Sequence, residues 1–195
     1  MNERLINKSI VILAAIHNPT VVSENFFERI GYIQDASEIE NDNIIITPAF
    51  SSIVFKNKVV ITLEPEKLEI RSEEQGDIEN LAKLYCNNLK FIRCRGVGLN
   101  YNLELTEFNT PNYFKNIQTI NYKESFVRAI EYRFPFKERN NCNVRIVNTN
   151  EEKAFVNFNF NYVFADTMLG ELGLDFINEK EANIVWAKEF IAEIK

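Results

Sequence analysis

Histidine is nearly absent from this chain: His17 is the only one among 195 residues. That excludes a histidine-rich zinc site and any metalloprotease helix motif, each of which needs at least two imidazoles. Cysteine is scarce as well. Cys86, Cys94 and Cys142 are odd in number and lack a Cys-x-x-Cys spacing, so a disulfide framework or zinc site is not expected and reduced, buried thiols are. Glycine and proline number only 6 and 5, which favours long regular elements over loops. There is no Gly-Lys-Ser/Thr phosphate loop, no serine elbow and no calcium loop. The longest early apolar run, residues 10–16, falls well short of the roughly 20 residues a membrane span needs, and no small-residue cleavage site follows it. A cytoplasmic protein with no membrane partner, no metal and no cofactor is the expectation.

A uniform basic charge is also missing. The net charge is −6, yet residues 90–145 carry ten Lys/Arg against five Asp/Glu, so the middle is basic and both ends are acidic. Acids interleaved within an acidic whole argue against a nucleic-acid partner, whose affinity would come from phosphate neutralisation.

What the chain has in quantity is apolar and aromatic residues: 46% hydrophobic, with 16 Phe and 7 Tyr, enough for one compact domain over residues 1–195. Residues 154–164 alternate along a long strand. Ala154, Val156, Phe158, Phe160, Tyr162 and Phe164 share one face, and Asn157, Asn159 and Asn161 share the other. Residues 10–16 are apolar on both faces, the pattern of a strand covered on two sides or central in its sheet. Ser23 and Gly31 bracket a short helix over residues 24–30, and residues 38–43 read as polar loop. Four β-branched runs over residues 44–71, separated by turn residues, form an antiparallel meander. Residues 77–89 carry an amphipathic stripe, as do residues 178–194, where Ala182, Val185, Trp186, Ile191 and Ile194 mark the apolar face. Between them a strand over residues 91–105 would place Arg93 and Arg95 on its apolar side unless a bulge near Gly96 turns them out. Thr110-Pro111 opens a short helix through residue 117, followed by strands over residues 126–136 and 143–147.

Residues 23–33 align without a gap to residues 110–120, and the two long helices align with each other. The expected fold class is therefore α+β: two similar β-α-β(meander)-α halves, about residues 7–90 and 91–195. They would form a largely antiparallel curved sheet with long helices on one face. That layout, with the strand Arg95-Gly-Val-Gly-Leu-Asn-Tyr101 after the first long helix, resembles a sporadically distributed bacterial family of conserved hypothetical proteins. At the level of topology alone it also looks like the TATA-binding-protein architecture. Neither resemblance carries a functional residue over to this chain.

Two leads remain for chemistry. Arg93, Arg95, Arg128 and Arg133, with Arg139 and Arg145, belong to the strands of the second half and could form a basic patch for an anionic ligand or a partner. Surface pairing with Glu104, Glu131 and Glu138 is the plainer alternative. Asn157, Asn159 and Asn161 line either a wet sheet face or the polar wall of a groove. His17, at a strand end, reads as a structural residue. The function expected is a non-catalytic binding or assembly protein that holds a protein partner or a second copy through an open sheet face or edge. The alternative is an enzyme or receptor that takes a small anionic ligand in an arginine-lined pocket.

Overall fold

The computed structural model describes residues 2–73, 76–109, 113–114, 128–136, 140–172 and 180–194, without the side chains of residues 41, 42, 136 and 166. The expected cap at Thr110, the helix through residue 117, the strand start before residue 128, Glu138, Arg139 and the cap at Asn178 lie outside the described residues.

Nine described strands form one antiparallel sheet in the order β2-β3-β4-β5-β1-β6-β9-β8-β7. They are β1 (Asn2–Ala14), β2 (Ile39–Ile46), β3 (Ser51–Phe55), β4 (Val59–Leu63), β5 (Lys67–Ser72), β6 (Arg93–Thr106), β7 (Ala129–Phe136), β8 (Asn140–Asn150) and β9 (Lys153–Met168). The helices bounded within the described residues are α1 (Glu24–Arg29), α2 (Ile78–Asn88) and α3 (Lys180–Glu193).

This corrects the α+β expectation: the fold is sheet-dominated, not two β-α-β(meander)-α halves with long helices laid over one face. Helices of 6, 11 and 14 residues accompany strands of up to 16 residues. The cause is strand length, which non-local pairing extends past what local pattern marks. Local pattern assigns residues 2–9 to no element, but Asn2 pairs with Thr106 and Ser9 with Asn100, so β1 begins at Asn2. Residues 38–43 looked like loop, yet Ile39 opens β2 opposite Phe55, and the polar residues fall in the register irregularity before Ile44. β9 likewise runs on to Met168, past the expected strand end at residue 164.

Local chemistry sets the remaining boundaries. Ser23 caps α1 by accepting from the Phe26 amide at 3.3 Å, and Gly31 follows at φ +74°, a conformation that favours glycine. Asp77 caps α2 by accepting from the Asn80 amide at 3.0 Å. The bulge expected near Gly96 is present: the pairing of β6 shifts register between Cys94 and Gly96, and Arg93 and Arg95 are exposed. Residues 10–16 are not covered on two sides. Ile10 and Ile12 are buried while Leu13 is 45% and Ile16 74% exposed, because β1 is central in the sheet but has one open face.

One face of the sheet is dry. Ile12, Leu68, Ile70, Phe158 and Phe160 are fully buried on it, each contributing about 2 to 3 kcal/mol of hydrophobic stabilisation. Trp186 and Phe190 of α3 meet that face edge-on, at 5.8 Å from Phe160 and 5.9 Å from Phe158. The buried stripe of α3 differs from the expected one: Val185 is exposed, whereas Asn183 is fully buried and donates from Nδ2 to the Tyr162 hydroxyl at 3.1 Å. A buried amide is tolerated there because Tyr162 takes up its hydrogen bond.

The same face holds a charged junction. Lys8 of β1, itself buried, donates to Glu79 of α2 at 3.0 Å, and Lys180 of α3 reaches Glu79 at 2.8 Å. Burial pushes the Lys8 ammonium down from its ordinary pKa, only partly offset by Glu79. For Glu79 burial acts upward, but the hydrogen bonds from Lys180 and Lys8 outweigh it and hold the carboxyl below the usual range. Removing Glu79 strands two cations, one of them buried. Glu79→Ala is expected to lower the free energy of unfolding by about 3 kcal/mol, and Lys8→Met/Glu79→Leu by less than half of that, measured by urea titration.

Candidate functional site

The other face of the sheet carries cross-strand rows of asparagine. Register places Asn7, Asn102 and Asn157 side by side on β1, β6 and β9, and one step along it places Ser9, Asn100 and Asn159. Directly opposed side chains sit about 5 Å apart, within amide reach. Asn157 Nδ2 donates to Asn102 Oδ1 at 2.7 Å, and Asn102 Nδ2 donates to Asn7 Oδ1. In the next row Asn159 donates to Asn100 Oδ1, and Asn100 Nδ2 donates to Ser9 Oγ at 3.1 Å. Both chains therefore run one way, from β9 to β1. Asn161 faces Gly98 across β6, finds no side chain there, and turns the other way to donate to Asn141 Oδ1 of β8 at 3.2 Å. Asn102 and Asn100, each donating one hydrogen and accepting one, keep a second amide hydrogen and a second lone pair for a ligand, whereas Asn161 also donates to the Asn159 carbonyl at 3.3 Å.

Charges border these rows. Arg4 and Lys153 reach Glu104 at 2.9 and 3.6 Å, Lys67 reaches Glu69 at 2.8 Å, and Arg145 reaches Glu131 at 3.3 Å. Over β7, β8 and β9 a shallow cleft of about 450 Å³ is lined by Glu131, Arg133, Asn143, Arg145, Asn157 and Asn159 among others.

Of the expected site residues, Asn157, Asn159 and Arg133 come together at this cleft, and Asn161 lies one step further along β9. Arg93 and Arg95 do not join them. They lie at the start of β6, and Arg93 is seven residues, about 23 Å, from Asn100 along the strand. Arg95 lies 3.8 Å from Glu66, both side chains being exposed. Arg128 is exposed just ahead of β7, where its carbonyl accepts from the Asn148 amide at 2.9 Å. The four arginines are thus spread over the sheet, since β9 and β8 separate β6 from β7. Pairing with Glu131 holds for Arg145, while Glu104 is taken by Arg4 and Lys153. Sequence reasoning missed Asn7, Ser9 and Arg71 as members of this face. Their position depends on the register of β1, which has no local signal.

The titratable groups shifted furthest by burial lie in the core. The His17 ring is buried, its Nδ1 is 2.9 Å from the Tyr85 hydroxyl, and its Nε2 has no hydrogen-bond partner among the described residues. Burial lowers its pKa to about 4, against a smaller upward pull from the Ile12 backbone. Burial pushes the thiols of Cys86, Cys94 and Cys142 up to about 12, 11 and 12, which makes them poor nucleophiles. No group of three or more His, Cys, Asp or Glu side chains that could hold a metal occurs among the described residues. No helix among them is long and apolar enough to cross a membrane.

No protein-family model matches this chain, and no curated protein matches it.

The depressed pKa of His17 has a signed consequence. The unfolded chain binds a proton near pH 6.5 and the folded chain only near 4, so between those values the unfolded state holds more protons and stability falls as pH falls. Unfolding free energy is expected to drop by about 1 to 1.5 kcal/mol from pH 7.5 to 5.5. His17→Asn should abolish that slope in urea titrations at the two pH values.

Proposed function

We propose that this chain is a non-catalytic binding protein that holds a protein partner on its open sheet face. The observation that carries the reading is the pair of one-way asparagine chains across β9, β6 and β1. Asparagine is disfavoured in strands, and a merely solvated face is served as well by threonine or lysine. A face that repeats a poor strand former at the centre of its longest strands departs from local preference, and such departures mark function. Gly98 supports the same reading. A Cβ there would come no closer than 3.5 Å to its neighbours, so the fold itself leaves room for a side chain that the sequence does not use. A glycine in a strand interior without a packing reason suits close approach by another backbone.

Several further points belong to this proposal. The two halves are read as a duplication, supported by a strand order in which β1 and β6 meet at the centre and each is flanked on its outer side by the last strand of its own half. A cytoplasmic setting is supported by three free, buried thiols. Nucleic acid is not the expected partner, because Glu69, Glu104 and Glu131 interleave with the cations of the face. The cleft beside Arg133 and Arg145 favours a second reading, a receptor for a small anion, in which the partner is replaced by a co-purified molecule.

Gly98→Phe discriminates between these readings. Affinity purification at native abundance should yield a stoichiometric protein partner with the parent chain and lose it with Gly98→Phe, while the melting temperature changes by less than about 4 °C. Retention of the partner by Gly98→Phe contradicts the open-face reading. A monomer carrying a small molecule in both cases favours the anion receptor.

A further inference from the structure

The row through Asn100 and Asn159 extends beyond the asparagines in both directions. On β5, Arg71 sits opposite Ser9, and on β7, Arg133 sits opposite Asn143, which itself faces Asn159. One line of side chains therefore runs Arg71, Ser9, Asn100, Asn159, Asn143, Arg133 across six strands. Five strand spacings make it about 24 Å long.

Its ends differ in kind from the other cations of the face. Arg4, Lys67, Arg145 and Lys153 are each paired with an acid on the same face. Arg71 and Arg133 are exposed and have no ion-pair partner among the described residues. The chain as a whole carries −6, and Glu69 and Glu131 on the same strands are engaged by Lys67 and Arg145, so two exposed guanidinium groups with no ion pair among the described residues, at both ends of a hydrogen-bonding row, stand against the general charge. An exposed guanidinium is a fork for carboxylate, and the amides between the two can exchange hydrogen bonds with a peptide backbone laid over them.

We infer that the open face takes an extended acidic peptide segment of a partner protein, lying along this row with one carboxylate on Arg71 and one on Arg133. This rests on the open-face reading and adds the chemistry of the partner. At about 3.4 Å per residue, a span of about 24 Å corresponds to acids seven residues apart in an extended chain. Nothing about this row requires Arg93 or Arg95, which lie off it.

The probe is a fluorescein-labelled peptide of serine and threonine with glutamates seven positions apart, compared with an isomer whose glutamates are three apart, titrated by anisotropy at low and physiological salt. The wider spacing is expected to bind about fivefold or more tightly than the narrower one, and Arg71→Gln and Arg133→Gln each to weaken it by about five- to tenfold, with Arg95→Gln unchanged. Equal binding of the isomers, indifference to both arginines, or no binding at millimolar peptide overturns the inference. Tighter binding of a twelve-nucleotide oligothymidylate that displaces the peptide overturns it in favour of nucleic acid, and displacement by millimolar inorganic phosphate overturns it in favour of a small anion. Failure here leaves the open-face reading to the Gly98→Phe result, which does not depend on charge.

Discussion

The pairing of β1 with β6 is the constraint on which both faces of the sheet depend. It runs from Asn2 opposite Thr106 to Ala14 opposite Cys94 and joins the first five strands of the sheet order to the last four. Side chains alternate with a period of two, so a slip of one residue would carry Asn7 and Ser9 into the core and turn Lys8 and Ile10 out to water. Two irregularities help to hold the register. One places Ile6 as an extra residue in β1, and the other places Arg95 as an extra residue in β6. Each lies near an end of the ladder, so the stretch between them, from Asn7 to Leu13, pairs without interruption.

From that register follow a dry face and a wet one. On the dry side the aromatic residues of β9 meet α3, and a polar intrusion of high cost, the Lys8 ammonium, is met by a carboxylate that a second lysine also holds. On the wet side the amides are linked in chains whose direction is set by which strand offers a partner. Where β6 offers Asn100 and Asn102 the chains run toward β1, and where it offers Gly98 the amide turns to β8. The wet face thus has a direction, a charge distribution and a gap, none of which the solvation of a sheet demands.

Much of this was legible in the chain before folding, but unevenly. The alternation of β9 separated its asparagines from its phenylalanines, and the same alternation in β6 placed Asn100 and Asn102 opposite the apolar residues. The caps at Ser23 and Asp77 and the turns of the meander were also readable, because each depends on residues within four positions. The balance of sheet to helix was not, and the α+β class fell with it: residues 2–9 and 39–43 are strand only because a distant segment pairs with them. The arginines were readable as a set but not as an arrangement, since whether Arg133 meets Asn159 or Arg93 is decided by strand order. Arg71 was invisible as a partner of Arg133, as the line joining them crosses six strands and both halves of the sequence.

Native-state hydrogen exchange across the β1–β6 seam tests the account most directly, because the account makes the seam the element that both halves share. The ladder amides of β1 from Ile10 to Ile12 and of β6 from Val97 to Leu99 should be the slowest to exchange. They should do so only through global unfolding, with opening free energies that agree within about 1 kcal/mol on the two strands and with the urea value. If instead β2 to β5 and β7 to β9 were the protected units and the seam amides exchanged through a separate opening of lower free energy, the halves would be two sheets in contact. The asparagine rows would then have no fixed register to stand on.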